Sequence, residues 1–489
     1  MTEPNSPRAR FLWHRANCML KDIAFMQTRR QFIANSAAAA GLFAGMGPNM
    51  ARAASDFEIL EARAGMVQLA PPGYPATEVW SIGGTLPGPV LRVAQGARVQ
   101  KRLINSLPQA TAMHWHGVRL DNAMDGVPGL TQDAIAPGDS FDYDFIAPDA
   151  GTFWYHSHNQ SVEQVARGLR GALIVEEPDP IDVDRDEVLV LDDWLIDPET
   201  GQLDTDFASA HSRSHAGRMG NLFTTNGVFD LGLPVQRHQR LRLRLINAAN
   251  ARIFELGLIG LEGWTVALDG MPLSSPEPVA GTLVLGPGQR VDLIVDVVAA
   301  DGDTAFVVRA GTSGAQSQVA FPVSGQASLA RRAAPPALPP NPDQVVDLSG
   351  DVAMLDLNMQ GGAMGGLRRA VLDGESLNFN QLAQANQFWS FNGTVGMTDT
   401  PLARLDRGQA ARLSILNDTS FPHAIHLHGM HFREVLAGGD LGPLRDTLLM
   451  TRGERRDIAF TARNPGDWLL HCHMLSHAEA GMMTWVQIA

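Results

Sequence analysis

The chain has 489 residues, a formal net charge of −14 and 45% hydrophobic residues. That length predicts about three domains, each large enough to bury its own core. The acidic balance, without a long basic run, excludes a nucleic-acid partner, which needs a concentrated Lys/Arg surface.

The first element in chain order is an export segment. Thr28-Arg29-Arg30-Gln31-Phe32 forms a twin-arginine pattern, and Ile33 to Met46 is apolar but too short and Ala/Gly-rich to span a bilayer. Ala51-Arg52-Ala53 then offers an A-x-A cleavage site. These parts predict a presequence over residues 1–54, a periplasmic or secreted protein and no membrane span. Nothing before Met26 fits such a signal, so Met26 is the expected start, with Met1 as the alternative. Residues 1–53 carry seven Lys/Arg and two acids, so their removal takes the net charge from −14 to about −19. Of the two cysteines, Cys18 leaves with the signal. Cys472 is then a single thiol that cannot form an internal disulfide, and metal ligation is one reason to keep it.

The body reads as all-β. Ala97 to Ile104 and Arg240 to Ile246 alternate apolar and polar residues with the period of two expected of half-buried strands. Frequent punctuation by 48 Gly and 30 Pro, with few helical periods, argues for sandwiches or barrels. A weak repeat supports several copies of one unit. Gln100 to Asn105, Leu241 to Asn247 and Ala411 to Asn417 each end a strand in Asn, about one domain length apart. The Pro-rich stretch Arg331 to Asp343 reads as a linker. Boundaries near 178 and 330 give domains 55–178 and 179–330, and a third within 331–489.

Ten of the fifteen histidines fall in four clusters: His114-Trp115-His116, His156-Ser157-His158, His423-Ala424-Ile425-His426-Leu427-His428, and His471-Cys472-His473 with His477. On a strand, residues i and i+2 share a face, so each H-x-H pair presents two imidazoles about 7 Å apart at Cα. Four pairs supply eight imidazoles, too many for one ion and suited to a cluster of three. A single pair is more often coincidence than a site; four pairs among so few histidines are not. Cys472 lies between two of them and points to the opposite face. With His477, Met482 and His423 it completes two imidazoles, a thiolate and a thioether, the blue-copper donor set. Zinc would more usually take several cysteines, or three ligands plus water.

These four clusters together resemble the multicopper oxidases, a family that includes laccases and bacterial cuprous oxidases. The likeness runs from Leu86-Pro87-Gly88-Pro89 to the C-terminus. It implies three cupredoxin-like Greek-key domains and about four copper ions per chain. Carried over by motif, it implies a type 1 copper on His423, Cys472, His477 and Met482, and a type 2 copper on His114 and His426. The type 3 pair would take His116, His156, His158, His428, His471 and His473. In the third motif Ala424 stands where the family often has proline, with Pro422 before the histidine. The implied partners are dioxygen and a small reducing substrate (phenol, aromatic amine or metal ion), and the expected state is a monomer. Electrons would enter at His423 or His477 on the rim.

Reduction of dioxygen to water consumes four protons, so an acid near the cluster is needed. Asp125 resembles the family's proton-relay acid, with a turn residue in Asp125-Gly126 as the competing reading. Glu479 is a second candidate, against a solvated loop acid. Met354, Met359 and Met364, with Met397 further on, offer thioethers to Cu(I); loop or core packing is the plainer account. His211 and His215 read as surface residues, and His431 as a residue behind the ligands or in the core. A laccase-like oxidase is the function these residues predict. The alternatives are a periplasmic cuprous oxidase, a copper store and a non-enzymatic structural relative of the same fold.

Overall fold

A computed structural model describes residues 57–489 apart from residue 343. The export pattern at 28–32, the cleavage site at 51–53 and the start at Met26 lie outside the described residues. Among the described residues, no helix is long and apolar enough to cross a membrane.

Strands dominate, in three successive pairs of sheets, with a two-stranded sheet of Arg369–Leu372 and Glu375–Asn378 added within the third region. The first pair orders Thr77–Ile82, Glu58–Val67, Arg98–Asn105 and Ser140–Ile146 against Gly88–Ala94, Arg170–Glu176, Gly151–Ser157 and Met113–His116. The second lies within 185–326 and is centred on Arg240–Asn247 and Arg290–Val297. The third lies within 352–488; one of its sheets orders Ala403–Leu405, Met483–Ile488, Gly466–Cys472, His423–Leu427 and Thr447–Met450. Apolar residues of the first and third pairs, from Leu60 to Ile488, merge into one contiguous core. The middle pair keeps its own core around Leu243, Leu293 and Val319.

The Asn repeat is a structural unit. Asn105, Asn247 and Asn417 are fully buried; the first two end their strands and Asn417 lies two residues before the end of Ala410–Thr419. Each side-chain oxygen accepts the N–H two residues on, at Leu107, Ala249 and Thr419. Each amide donates to two carbonyls: Gln109 and Ile135, Arg252 and Leu285, Phe421 and Thr451. The same three bonds, made three times, close the same strand-to-loop corner and satisfy backbone groups that the turn would leave unpaired.

Two expectations are corrected. Arg98–Asn105 is half-buried as read, but Arg240–Asn247 is buried along its whole length. Its polar face is closed by ion pairs: Arg240 with Asp296, Arg242 with Asp292 and Glu177, Arg244 with Asp186. Alternation of Arg with Leu reports two faces; it does not say that one is wet. The stretch 331–342 has no regular structure but is no free linker. Leu338 packs against Trp264, and Asn341 exchanges hydrogen bonds with the backbone of Ala150.

Candidate metal centre

Strand pairing assembles the histidines. Met113–His116 runs antiparallel to Gly151–Ser157 with His114 opposite His156. His423–Leu427 runs antiparallel to Gly466–Cys472 with His426 opposite His471 and Ile425 opposite Cys472. Only the first pair lies wholly on a strand. His158, His428 and His473 each stand one residue past a strand end, so alternation places the first imidazole and the loop aims the second. His473 is fixed there by its N–H bond to the Ala424 carbonyl, within a strand that stays regular despite the absent proline.

Eight imidazoles face one buried space. His158, His428 and His471 form a triangle with all three ring separations 5.2 Å. His116, His156 and His473 form a second, at 5.0, 5.3 and 5.8 Å. His114 and His426 remain, 5.9 Å apart. Outer ring nitrogens are anchored: Nδ1 of His114, His156, His426 and His471 to the carbonyls of Asp125, Ser157, Asp446 and Cys472, and Nδ1 of His428 to Asp125 Oδ2 at 2.9 Å. His116 is turned over, its Nε2 donating to Asp446 Oδ1 at 3.2 Å. The inner atoms Nε2 of His114, His156, His158 and His426, and Nδ1 of His116, are buried without a partner. Such orphans cost free energy unless something accepts their lone pairs. Burial lowers the affinity of the His116, His156, His158 and His426 rings for protons, His158 to about 3, so these four stand neutral and ready to ligate.

A second, smaller set lies behind the same strand. Cys472 Sγ is 3.6 Å from His423 Nδ1 and 3.8 Å from His477 Nδ1, and the two nitrogens are 3.0 Å apart. The outer nitrogens are again anchored, His423 Nε2 to Thr419 Oγ1 at 2.9 Å and His477 Nε2 to the His215 carbonyl at 2.7 Å. Met482 is fully buried beside them, its N–H bonded to the His477 carbonyl and its carbonyl accepting from Cys472 N. Burial pushes the Cys472 thiol up to about 12 and His477 down to about 4. A thiol so reluctant to ionise in apolar surroundings needs a cation to become thiolate.

Family models described as multicopper oxidase match residues 63–180, 185–334 and 373–489. The chain belongs to the multicopper oxidase family. Multicopper oxidase MmcO of Mycobacterium tuberculosis is 30% identical over 439 residues, covering 84% of this chain and 83% of its own. A copper resistance protein A homolog of Pseudomonas syringae is 28% identical, covering 84% of this chain and 89% of its own. The crystal structure of Lac15 from a marine microbial metagenome matches with 44% identity and a TM-score of 0.71, over 88% of this chain and 100% of that one. The fold is that of the family, three cupredoxin-like β domains, and the enzyme is a copper oxidoreductase. The clustered neutral imidazoles, the thiol and the orphaned inner nitrogens fit copper.

In this multicopper oxidase Asp125 is a turn residue that lies among the clustered histidines. It caps the short turn Asn122–Met124 and is buried against His114 and His428. Gly126 makes that possible: at φ +81° a Cβ there would lie 1.8 Å from the Met113 carbonyl oxygen. Glu479 is not a solvated loop acid. It accepts from Val162 N at 2.8 Å and Arg213 at 2.9 Å, and burial raises its carboxyl. Neither His423 nor His477 reaches the rim; both are fully buried under Trp389, Phe421 and the segment carrying His215. His215 is therefore part of the cover rather than a plain surface residue. Met359 is core, whereas Met354 and Met364 are each 67% exposed.

Sequence reasoning missed Asp446 and the middle domain's share. Asp446 is fully buried, touches His116 and His426, and accepts Arg290 at 2.8 and 2.6 Å. Gln289 donates to the Thr447 carbonyl, and Gly288 lies against His473 and His116. Nothing local marks Asp446: it stands in Arg445-Asp446-Thr447, eighteen residues past His428.

Proposed function

We propose that this multicopper oxidase is laccase-like: it takes single electrons from a small phenolic, aromatic or metal-ion donor and passes four to dioxygen, releasing water. His423, Cys472, His477 and Met482 would hold a type 1 copper, and His114 with His426 a type 2 copper. The triangles His116, His156, His473 and His158, His428, His471 would each hold one copper of the type 3 pair. Copper supplies the one-electron redox chemistry when bound. The observation that carries the reading is the placement of Cys472. Its sulfur faces the smaller donor set, while its covalent neighbours His471 and His473 face opposite triangles of the larger one. A few covalent bonds thus join the two sites.

The chain's own groups order the rest. Asp125 orients His428 through Oδ2, and its buried Oδ1 takes no hydrogen bond, which makes Oδ1 the atom on which a proton would rest. Glu479, Arg213, His158 and His471 line one opening of about 430 Å³, a route for dioxygen and water. We place the domain boundaries between Glu176 and Arg185 and between Gln326 and Val352, where the sheets change. The residues at 28–32 and 51–53 support export by the twin-arginine route.

A second reading, Cu(I) oxidation, is favoured by one observation: exposed Met364 lies beside the cover of the type 1 site, its carbonyl accepting from Ser420. Oxygen uptake by copper-loaded protein, measured on a neutral phenol, Mn(II) and Cu(I), tests both. The laccase-like reading expects a higher kcat/KM on the phenol or on Mn(II) than on Cu(I). Uptake with Cu(I) alone replaces it with the second, and no uptake with any donor removes both.

A further inference from the structure

Away from the copper ligands, a cleft of about 450 Å³ opens between the strand Leu222–Thr225 and the strands Phe254–Ile259 and Thr304–Gly311. Two guanidinium groups converge there on one phenyl ring. The Arg309 carbon stands 3.9 Å from the Phe223 centroid and that of Arg252 5.0 Å. Their partners are unequal. Arg252 donates to Asp193 at 2.8 Å and to the Gly220 carbonyl at 2.7 Å. Arg309 donates to the neutral Gln316 side chain, and its buried Nε has no acceptor. Among the described residues no carboxylate lies within ion-pairing distance of Arg309. Partial burial and the facing Arg252 charge both act against the Arg309 cation. An arginine held against another without a counter-ion is stabilised by an anion from solution that reaches the exposed edge of its guanidinium.

We propose that this cleft binds small organic carboxylates and is the docking place for anionic reductants. The planar guanidinium fork matches a carboxylate, and Ile253 and Ala310 beside it receive an apolar body, which disfavours a fully hydrated inorganic anion. The cleft is tied to the type 1 ligands by one short segment. The His215 carbonyl accepts from His477, and the Gly220 carbonyl, five residues on, accepts from Arg252. Those five steps span at most about 18 Å when fully extended. The docking role rests on reading His477 as a type 1 ligand; carboxylate binding does not.

The test is calorimetric titration of the copper-loaded full chain with benzoate, benzyl alcohol and inorganic phosphate. It is run on the natural protein, Arg309→Gln and Arg309→Lys. A charge-assisted contact predicts benzoate binding at least about tenfold tighter than either other probe and about tenfold weaker in Arg309→Gln. Arg309→Lys should restore part of it. The KM of a carboxylated phenol should rise about tenfold in Arg309→Gln, with kcat and the KM of a neutral phenol unchanged. No saturable benzoate binding, equal binding by Arg309→Gln, or tighter binding of phosphate overturns the carboxylate site. Lost binding with an unchanged KM overturns the docking role. A colourless protein that still binds benzoate removes the type 1 reading and the docking role, and leaves the carboxylate site standing.

Discussion

At the scale of single residues, chemistry and burial select one another. A thiol pushed up to about 12 and imidazoles held neutral by desolvation are poor company for water and good company for a soft cation. Asp125 shows how one side chain carries two demands. Replacing it with Asn keeps an acceptor for His428 and removes the proton site. We expect Asp125→Asn to slow dioxygen reduction by about a hundredfold while the blue absorption persists, measured by oxygen uptake and visible spectra on one sample. Unchanged turnover would return Asp125 to a purely structural role. The clustering of the imidazoles and the thiol was legible in the sequence because H-x-H and H-C-H keep them close along the chain. Asp446 was not, because its contacts to His116 and Arg290 span 330 and 156 residues.

At the scale of elements, strand ends matter as much as strands. Period two placed His114, His156, His426 and His471 correctly, since each sits inside a ladder. It could not place His158, His428 or His473, which lie just beyond one. A loop from the middle domain closes that gap. Gly288 has φ +82°, and a Cβ there would fall 2.8 Å from His473 Cγ and 3.1 Å from His116 Cε1. Gly288→Ala should therefore push these rings apart. Elemental analysis of the purified variant should show the loss of about one copper ion per chain, with the type 1 absorption intact. A full copper complement would mean that the loop yields and does not position the rings.

At the scale of the whole molecule, three copies of one unit have diverged in chemistry while keeping a common corner. His114 and His116 lie nine and eleven residues after Asn105, and His426 and His428 nine and eleven after Asn417. The same steps after Asn247 reach Leu256 and Leu258. The repeat was visible in the sequence, but its register with the histidines emerged only once the shared hydrogen bonds identified the three Asn residues as equivalent. With leucines at those positions, the middle copy contributes support: Arg290 reaches Asp446 of the third unit, which contacts His116 of the first. Arg290→Gln leaves the buried carboxylate unpaired, a change expected to cost about 3–5 kcal/mol. Denaturation of the metal-free protein would show the loss, and Asp446→Asn in the same chain should recover part of it. Equal stability of Arg290→Gln and the natural protein would deny the middle domain this role.

The central claim is that Cys472 serves one copper while its two neighbours serve a cluster. Copper content and visible spectra of the purified protein and of Cys472→Ser, loaded side by side, test it most directly. The account predicts about four copper ions and an intense blue band in the natural protein, and about three ions without that band in the variant. A colourless natural protein, or a variant that loses the whole cluster or keeps its colour, would contradict it.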